Sequence, residues 1–333
     1  MPAHRVVKGK GMSSSPSWQA VLQRIIQTPA ERQRLATALG VSVMTLIRWA
    51  NESTRPQKPH LIRLVQVVQP QYRAELLQAL EPEFPDIHTW LYEEPAEQIP
   101  PDFFAQALNA RATIIESLRF WHITDMVLKQ ALTQLDTNRL GMSITLVQCM
   151  PPSQGGKIRS LRERMGKGTL PWTADLEHLS IFLGIETLAG YVVQYQRPAS
   201  IEDLSQDHLL PAYQSEFEVS AAAHPIWLDG RIAGCLLASS TQVSYFSQQR
   251  QALLSTFSDI ISLAFDKNDF YRPDCIELSV MPPPDKQRPY LAQFRQRVTQ
   301  VLIDAAQNKH HLTNAQAEER VWQELEETFL NTP

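Results

Sequence analysis

The sequence predicts a multidomain chain in three parts: an all-α N-terminal domain, an α+β domain with an antiparallel sheet and flanking helices, and a C-terminal helical hairpin. Three observations carry that expectation. At 333 residues the chain exceeds the roughly 100–200 residues of a single domain. Hydrophobic spacing keeps a helical period up to Leu80 and changes to the alternation of strands after Gly141. Charge is divided as well. The first eighty residues hold eleven Lys and Arg against Glu31, Glu52 and Glu75, a net +8; the rest carries −12, giving −4 for the chain. A basic end on an acidic body points to a polyanion partner for that end.

Composition removes several classes. Apolar residues make up 43% and charged residues 20% of the chain, which excludes a largely disordered, collagen-like or disulfide-scaffold protein. No apolar run approaches the roughly 20 residues that span a bilayer, and the basic, Ser-rich start has no apolar signal core. A cytoplasmic protein with no membrane partner is expected. Cys149, Cys235 and Cys275 form no CxxC pair, so reduced thiols are expected, with no metal site and no cofactor. GxSxG, HExxH, P-loop and GxGxxG motifs are all absent, so the chain is not expected to be an enzyme and no catalytic residue is assigned. Gly155-Gly156-Lys157 and Gly166-Lys167-Gly168 lack phosphate-cradle spacing and read as a hairpin loop. His310-His311 reads as a solvated helix end.

Residues 1–16 show no hydrophobic period and are expected to be disordered. Trp18, Val21, Leu22, Ile25 and Ile26 form a stripe at helical spacing. Further helices are expected over 30–39, 42–50, 59–68 and 71–80, separated by Gly40, the segment 51–58 and Pro70, so 17–80 is one all-α domain. Five prolines among acidic residues mark 81–101 as a stiffened linker. A single long helix is then expected over 102–135. Strands follow over 142–149 and 158–165, the latter with Arg159, Arg162 and Arg164 interposed, then a helix over 175–194. Two more strands, 219–228 and 231–239, are joined by Asp229-Gly230, a strong hairpin signal, and a helix over 247–266 closes a domain spanning 102–272. After Pro282, Pro283 and Pro284, two amphipathic helices make a helical element over 273–333.

A helix-turn-helix needs a small residue where its helices cross, a Gly for the left-handed turn and apolar residues that lock the second helix. Leu35 and Leu39, Ala36, Gly40, Val41, and Leu46 with Trp49 meet these demands in order, with Ser42 as N-cap. The string RLATALGVSVMTLIRWANESTRP resembles the Cro/CI-type (XRE) helix-turn-helix family over about residues 17–80. The resemblance implies double-stranded DNA as partner, with base reading by Ser42, Val43, Met44 and Arg48. An Arg there can bond bidentately to guanine O6 and N7. It likewise implies phosphate contacts from Arg32, Gln33, Asn51, Thr54, Arg55 and Lys58, which fix register without reading sequence. Glu52 stands where the family commonly has Gly, placing a carboxylate near phosphate.

A second resemblance lies further along. Gly190, the turn Gln196-Arg197-Pro198, the strand-like Ala199-Ser200-Ile201, the hairpin AAAHPIWLDGRIAGCLLASS, Tyr245-Phe246 and a closing Leu-rich helix are similar to the second half of a GAF domain. It covers about 102–270, weakly in its first half, and implies a small-molecule pocket and a homodimer formed through flanking helices. The expected pocket residues are Trp172, His178, Phe182, Tyr191, Tyr195, Tyr213 and Phe217, a mostly apolar set with a few polar groups. No cysteine falls at the bilin-attachment position and the cyclic-GMP motif is absent, so neither ligand is expected.

Together these features predict a sequence-specific DNA-binding transcriptional regulator whose GAF-like domain senses a small-molecule effector, dimerises, or both. The alternative reading is a protein-interaction adaptor whose GAF-like domain is a ligand-free dimerisation platform.

Overall fold

The computed structural model describes residues 16–91, 98–153, 155–176, 181–206 and 217–331, and the chain divides into two compact units meeting between Glu93 and Glu94. The first unit holds α1 (Trp18–Ile25), α2 (Pro29–Leu39), α3 (Val43–Ala50), α4 (Lys58–Val67), α5 (Pro70–Leu80) and α6 (Ile87–Leu91). Hydroxyl caps start the first three: Ser17, Thr28 and Ser42 each accept a hydrogen bond from a backbone N–H in the first turn. Trp18, Val21, Leu22 and Ile25 of α1 are buried, as the stripe requires.

Helix α6 falls inside the segment expected as a linker. Its Ile87 and Leu91 are buried, and the Trp18 indole N–H donates to Glu83 Oε2 at 2.7 Å while its ring meets Phe84 edge-on. Residues 81–91 thus complete the helical core instead of leading away from it. Proline density signalled a linker, but Phe84, Ile87, Trp90 and Leu91 supply a hydrophobic face that the core covers.

In the second unit the expected single helix over 102–135 is two: α7 (Pro101–Thr113) and α8 (Glu116–Leu135). Ile114 and Ile115 between them are extended, with ψ 133° and 146°. Thr113, Ile114 and Ile115 form a β-branched run that disfavours helix. The break is held from outside: Arg111 and Arg119 each place Nη1 3.3 Å from Asp266 Oδ1. It lets Phe103 pack on Phe257 while Phe120 packs on Phe265.

The sheet contains β1 (Met142–Cys149), β2 (Leu161–Gly168), β3 (Phe182–Leu183), β4 (Ala199–Ile201), β5 (Ser220–Leu228) and β6 (Arg231–Ser240), antiparallel in the order β3-β2-β1-β6-β5-β4. Asp229 and Gly230 both take positive φ, 52° and 67°, as a tight hairpin turn demands. Strand β2 starts later than the expected 158–165, because Ile158 bridges Ile276 instead, and Gly166-Lys167-Gly168 lie within it; Gly155 and Gly156 make the turn. The expected helix over 175–194 is confined to α9 (Leu188–Tyr195), preceded by β3 and capped by Thr187, whose hydroxyl accepts from Gly190 N–H at 3.0 Å.

Cross-strand partners share a sheet face. Val147, Cys149, Leu161, Ala221, Ala223 and Cys235 pack with α9 in one core. The other face meets α8 and α10 (Gln248–Ile261), for example through Lys167, whose ammonium pairs with Asp125 at 2.8 Å. Helices α11 (Pro284–Leu291), α12 (Phe294–Gln307) and α13 (Asn314–Leu330) follow; α11 begins at Pro284 of the expected linker, and α12 and α13 pack together as the expected hairpin. This tail shares a core with the sheet: Met150, Phe182 and Met281 are buried with Val298, Val321, Leu325 and Phe329. The Gln287 carboxamide accepts from Phe182 N–H at 2.8 Å and donates to its carbonyl at 2.9 Å, closing the free edge of β3 as a further strand would. No helix among the described residues is long and apolar enough to cross a membrane.

Candidate functional site

In the helical unit, Gly40 ends α2 with φ 68°, a left-handed turn open only to glycine without strain. Helix α3 then presents two faces. Leu46 and Trp49 are buried against the unit, while Ser42, Met44 and Arg48 are exposed and Val43 is half-buried. Ser42 is committed to capping, accepting from Thr45 N–H at 3.1 Å. The Arg48 guanidinium makes no hydrogen bond or ion pair among the described residues.

The six expected phosphate contacts stand differently. Arg32 donates to the Ile26 and Gln27 carbonyls at 2.9 and 3.1 Å, so its guanidinium closes the end of α1. Arg55 pairs with Glu83 at 3.1 Å yet stays largely exposed, and Lys58 sits 5.1 Å from the Trp90 ring centre. Gln33, Asn51 and Thr54 are exposed. Glu52 holds φ 59°, so the position where the family commonly has Gly is indeed left-handed in this chain.

The residues expected to line one pocket are not brought together. Trp172 and Phe217 meet edge-on, 6.0 Å between ring centres. Tyr191 and Tyr195 pair on α9, with Tyr195 58% exposed and Arg197 over the Tyr191 ring. Phe182 is fully buried against Trp322 and Phe329 of the tail. It is a core residue, because an apolar ring on a two-residue edge strand is covered by whatever docks there. His178 and Tyr213 lie outside the described residues.

On the α9 face, Glu163 stands opposite Val147. Burial, and then the Glu218 carboxylate, push it up to about 8, so it is mostly protonated at neutral pH. Ser239 Oγ donates to Glu218 at 2.5 Å.

A cavity of about 1000 Å³ opens at the ends of β1 and β2, and Glu163 and Cys149 are among the residues that line it. Its floor is the end of β1 and β2, with Gln148, Arg162 and Arg164; one wall is Glu116, Phe120 and Trp121 at the start of α8. Asp266, Asp269 and Tyr271 from the loop after α10 form a second wall, and Phe294, Arg295, Glu318, Glu319 and Trp322 of the tail close it. Of the expected pocket residues, the five described ones, Trp172, Phe182, Tyr191, Tyr195 and Phe217, do not line it. The Arg162 guanidinium lies 3.9 Å from the Trp322 ring centre, and Arg164 lies 4.9 Å from that of Phe120 and 5.8 Å from that of Trp121. Burial, and next the neighbouring Arg164, lower the Arg162 guanidinium well below its ordinary value; burial lowers Arg164 too. The sequence showed Arg162 and Arg164 two residues apart in a strand, but a bulge between Leu146 and Val147 leaves Arg164 without a cross-strand partner, so simple alternation does not describe this part of β2.

The GAF domain family matches residues 125–266, which places a GAF domain from the middle of α8 to just past α10. No curated protein matches the sequence. Among solved structures, the chain is similar to the GAF domain of an Acinetobacter phosphoenolpyruvate-protein phosphotransferase at 16% identity and a TM-score of 0.33, covering 49% of this chain and 90% of that one. The corresponding Coxiella burnetii domain gives 14% identity and 0.34, covering 48% and 89%. A free methionine-R-sulfoxide reductase from Neisseria meningitidis gives 15% and 0.30, covering 48% and 90%. These overlaps carry no functional argument, and the assignment of the domain rests on the family match.

Proposed function

We propose that the chain is a DNA-binding transcriptional regulator, with α2 and α3 as a helix-turn-helix of the Cro/CI type and the GAF domain as a small-molecule sensor and dimerisation module. The observation that carries it is the pairing of a left-handed Gly40 with a capped α3 whose outward side offers Met44 and Arg48 while Leu46 and Trp49 are locked inward. The +8 charge of the first eighty residues supports a phosphate partner. Dimerisation is supported by Phe104, Leu108, Ile115, Leu118 and Trp121, an exposed apolar series along α7 and α8. A symmetric dimer presents two recognition helices, which must lie about 34 Å apart to read successive major grooves.

The test is an unbiased DNA selection with the full chain at fixed moderate salt, repeated with Arg48→Ala. A palindromic motif that disappears with Arg48 supports the reading; absence of enrichment sinks it. One set of observations favours the adaptor alternative: Arg32, Arg55 and Lys58 are already engaged within the helical unit, and Glu52 adds an exposed carboxylate after α3. In that case binding to DNA is weak or insensitive to salt, since phosphate contacts release counterions.

A further inference from the structure

Three cations stand along β2, Lys167 and Arg164 beside α8 and Arg162 beside Trp322 of the tail. Lys167 is matched by Asp125 and Asp175. The two guanidinium groups are not matched: among the described residues neither makes a hydrogen bond or an ion pair, with Arg162 7% exposed and Arg164 half-buried. Their Nε atoms are buried without a partner. A buried charge without a counterion costs far more than one that is paired, so two of them side by side need an explanation beyond packing. Each guanidinium has an aromatic surface beside it, Trp322 for Arg162 and Phe120 with Trp121 for Arg164, which holds the cation while leaving donors free in the plane.

We propose that this cavity binds a small organic oxyanion with a flat apolar body, its carboxylate or phosphate received by Arg162 and Arg164 and its ring held beside Trp322 and Phe294. The volume is at the upper end of the usual range for ligand pockets, and planar guanidinium forks match both oxyanions bidentately. Trp322 and Phe294 are stacked on each other, ring centres 4.2 Å apart and planes 30° apart, an aromatic wall next to the cations. Asp269 first, and then Glu318 and Glu319 on α13, act on Arg164 across the cavity without forming an ion pair with it. They repel a plain anion and accept from donors, so the ligand carries its negative charge at one end and N–H or O–H groups at the other. Because the floor belongs to the GAF sheet and the far wall to the tail, the ligand clamps the tail hairpin to the domain. This assignment deepens the sensing half of the proposed function and is independent of DNA binding.

The test is titration calorimetry on the full chain without DNA, using 4-aminobenzoate, L-tryptophan, AMP and inorganic phosphate. Saturable binding of an aromatic carboxylate identifies the carboxylate source, and binding of AMP the phosphate source. Inorganic phosphate is expected to bind far more weakly than either. Arg164→Gln is expected to weaken binding by roughly ten- to a hundredfold, the loss of a charge-assisted contact. Should Arg162→Gln fail to fold for want of its stacking partner, Arg164→Lys supplies the check, since it keeps the charge and loses the fork. Failure of all four probes at millimolar concentration overturns the proposal, as does unchanged affinity in a folded Arg164→Gln variant. DNA selection on the same preparation separates that failure from failure of the regulator reading.

Discussion

The guanidinium of Arg162, on the second strand of the sheet, lies 3.9 Å from the ring centre of Trp322 on the last helix. Trp322 in turn stacks on Phe294 and meets Phe182, so one indole joins the GAF sheet, its edge strand and both hairpin helices. The tail is therefore built onto the domain and encloses the cavity that the domain alone would leave as an open face.

Removing that indole tests the arrangement. Trp322→Ala is expected to cost about 2–3 kcal/mol, less than a fully buried tryptophan because this one is half-buried. Hydrogen exchange should rise in α11 to α13 and at β3 while β1, β5 and β6 stay protected. Uniform loss of protection across the sheet would contradict a tail that docks as a separate layer.

Glu52 pays a local conformational penalty at φ 59°. Glu52→Gly is expected to raise stability by about 0.5–1 kcal/mol in denaturant unfolding, since glycine occupies the left-handed region without strain. If the segment after α3 lies beside phosphate, the same change raises DNA affinity a few-fold at low salt, read by fluorescence anisotropy; a stability gain without any change in affinity would place DNA elsewhere.

His224 on β5 is 8% exposed, its Nε2 has no partner, and burial lowers it to about 4. The folded state then binds fewer protons than the unfolded chain between roughly pH 4 and 6.5, so stability is complete above about pH 6.5 and falls as the pH drops toward 4. The contribution at stake is on the order of 3 kcal/mol. Unfolding of the native chain and of His224→Leu across this window should diverge by that amount; parallel curves would show that His224 does not stay neutral in the fold.

Leu108 and Leu118 are about 60% exposed on α7 and α8. A double substitution to Glu is expected to convert a dimer to a monomer in sedimentation analysis without changing the far-UV circular dichroism. A native chain that sediments as a monomer at micromolar concentration would remove these helices as the dimer surface.

Local physics made much of this legible. The 3.6-residue stripe of Trp18 to Ile25, the Ser caps, Gly40 and the Asp229-Gly230 turn are each fixed by a few neighbouring residues, and each stands where spacing put it. The same is true of the GAF domain, whose run from Gly190 to the Leu-rich α10 is a continuous string. What the sequence alone left open was set by contacts between distant segments. Proline content hid α6 because the burial of Ile87 and Leu91 depends on Trp18 and its neighbours. A continuous apolar period concealed the break at Ile114, which is held by Arg111, Arg119 and Asp266. The described aromatic residues expected to share one pocket lie in separate places, because a ring carries no mark of whether a helix or a ligand covers it. Arg162 and Arg164 were visible as charges in a strand, but only the folded chain brings Trp322 and Phe120 beside them and, among the described residues, leaves no carboxylate within ion-pairing distance. Periodicity and turn chemistry are encoded over a few residues, whereas a cavity is the space that several distant elements leave between them.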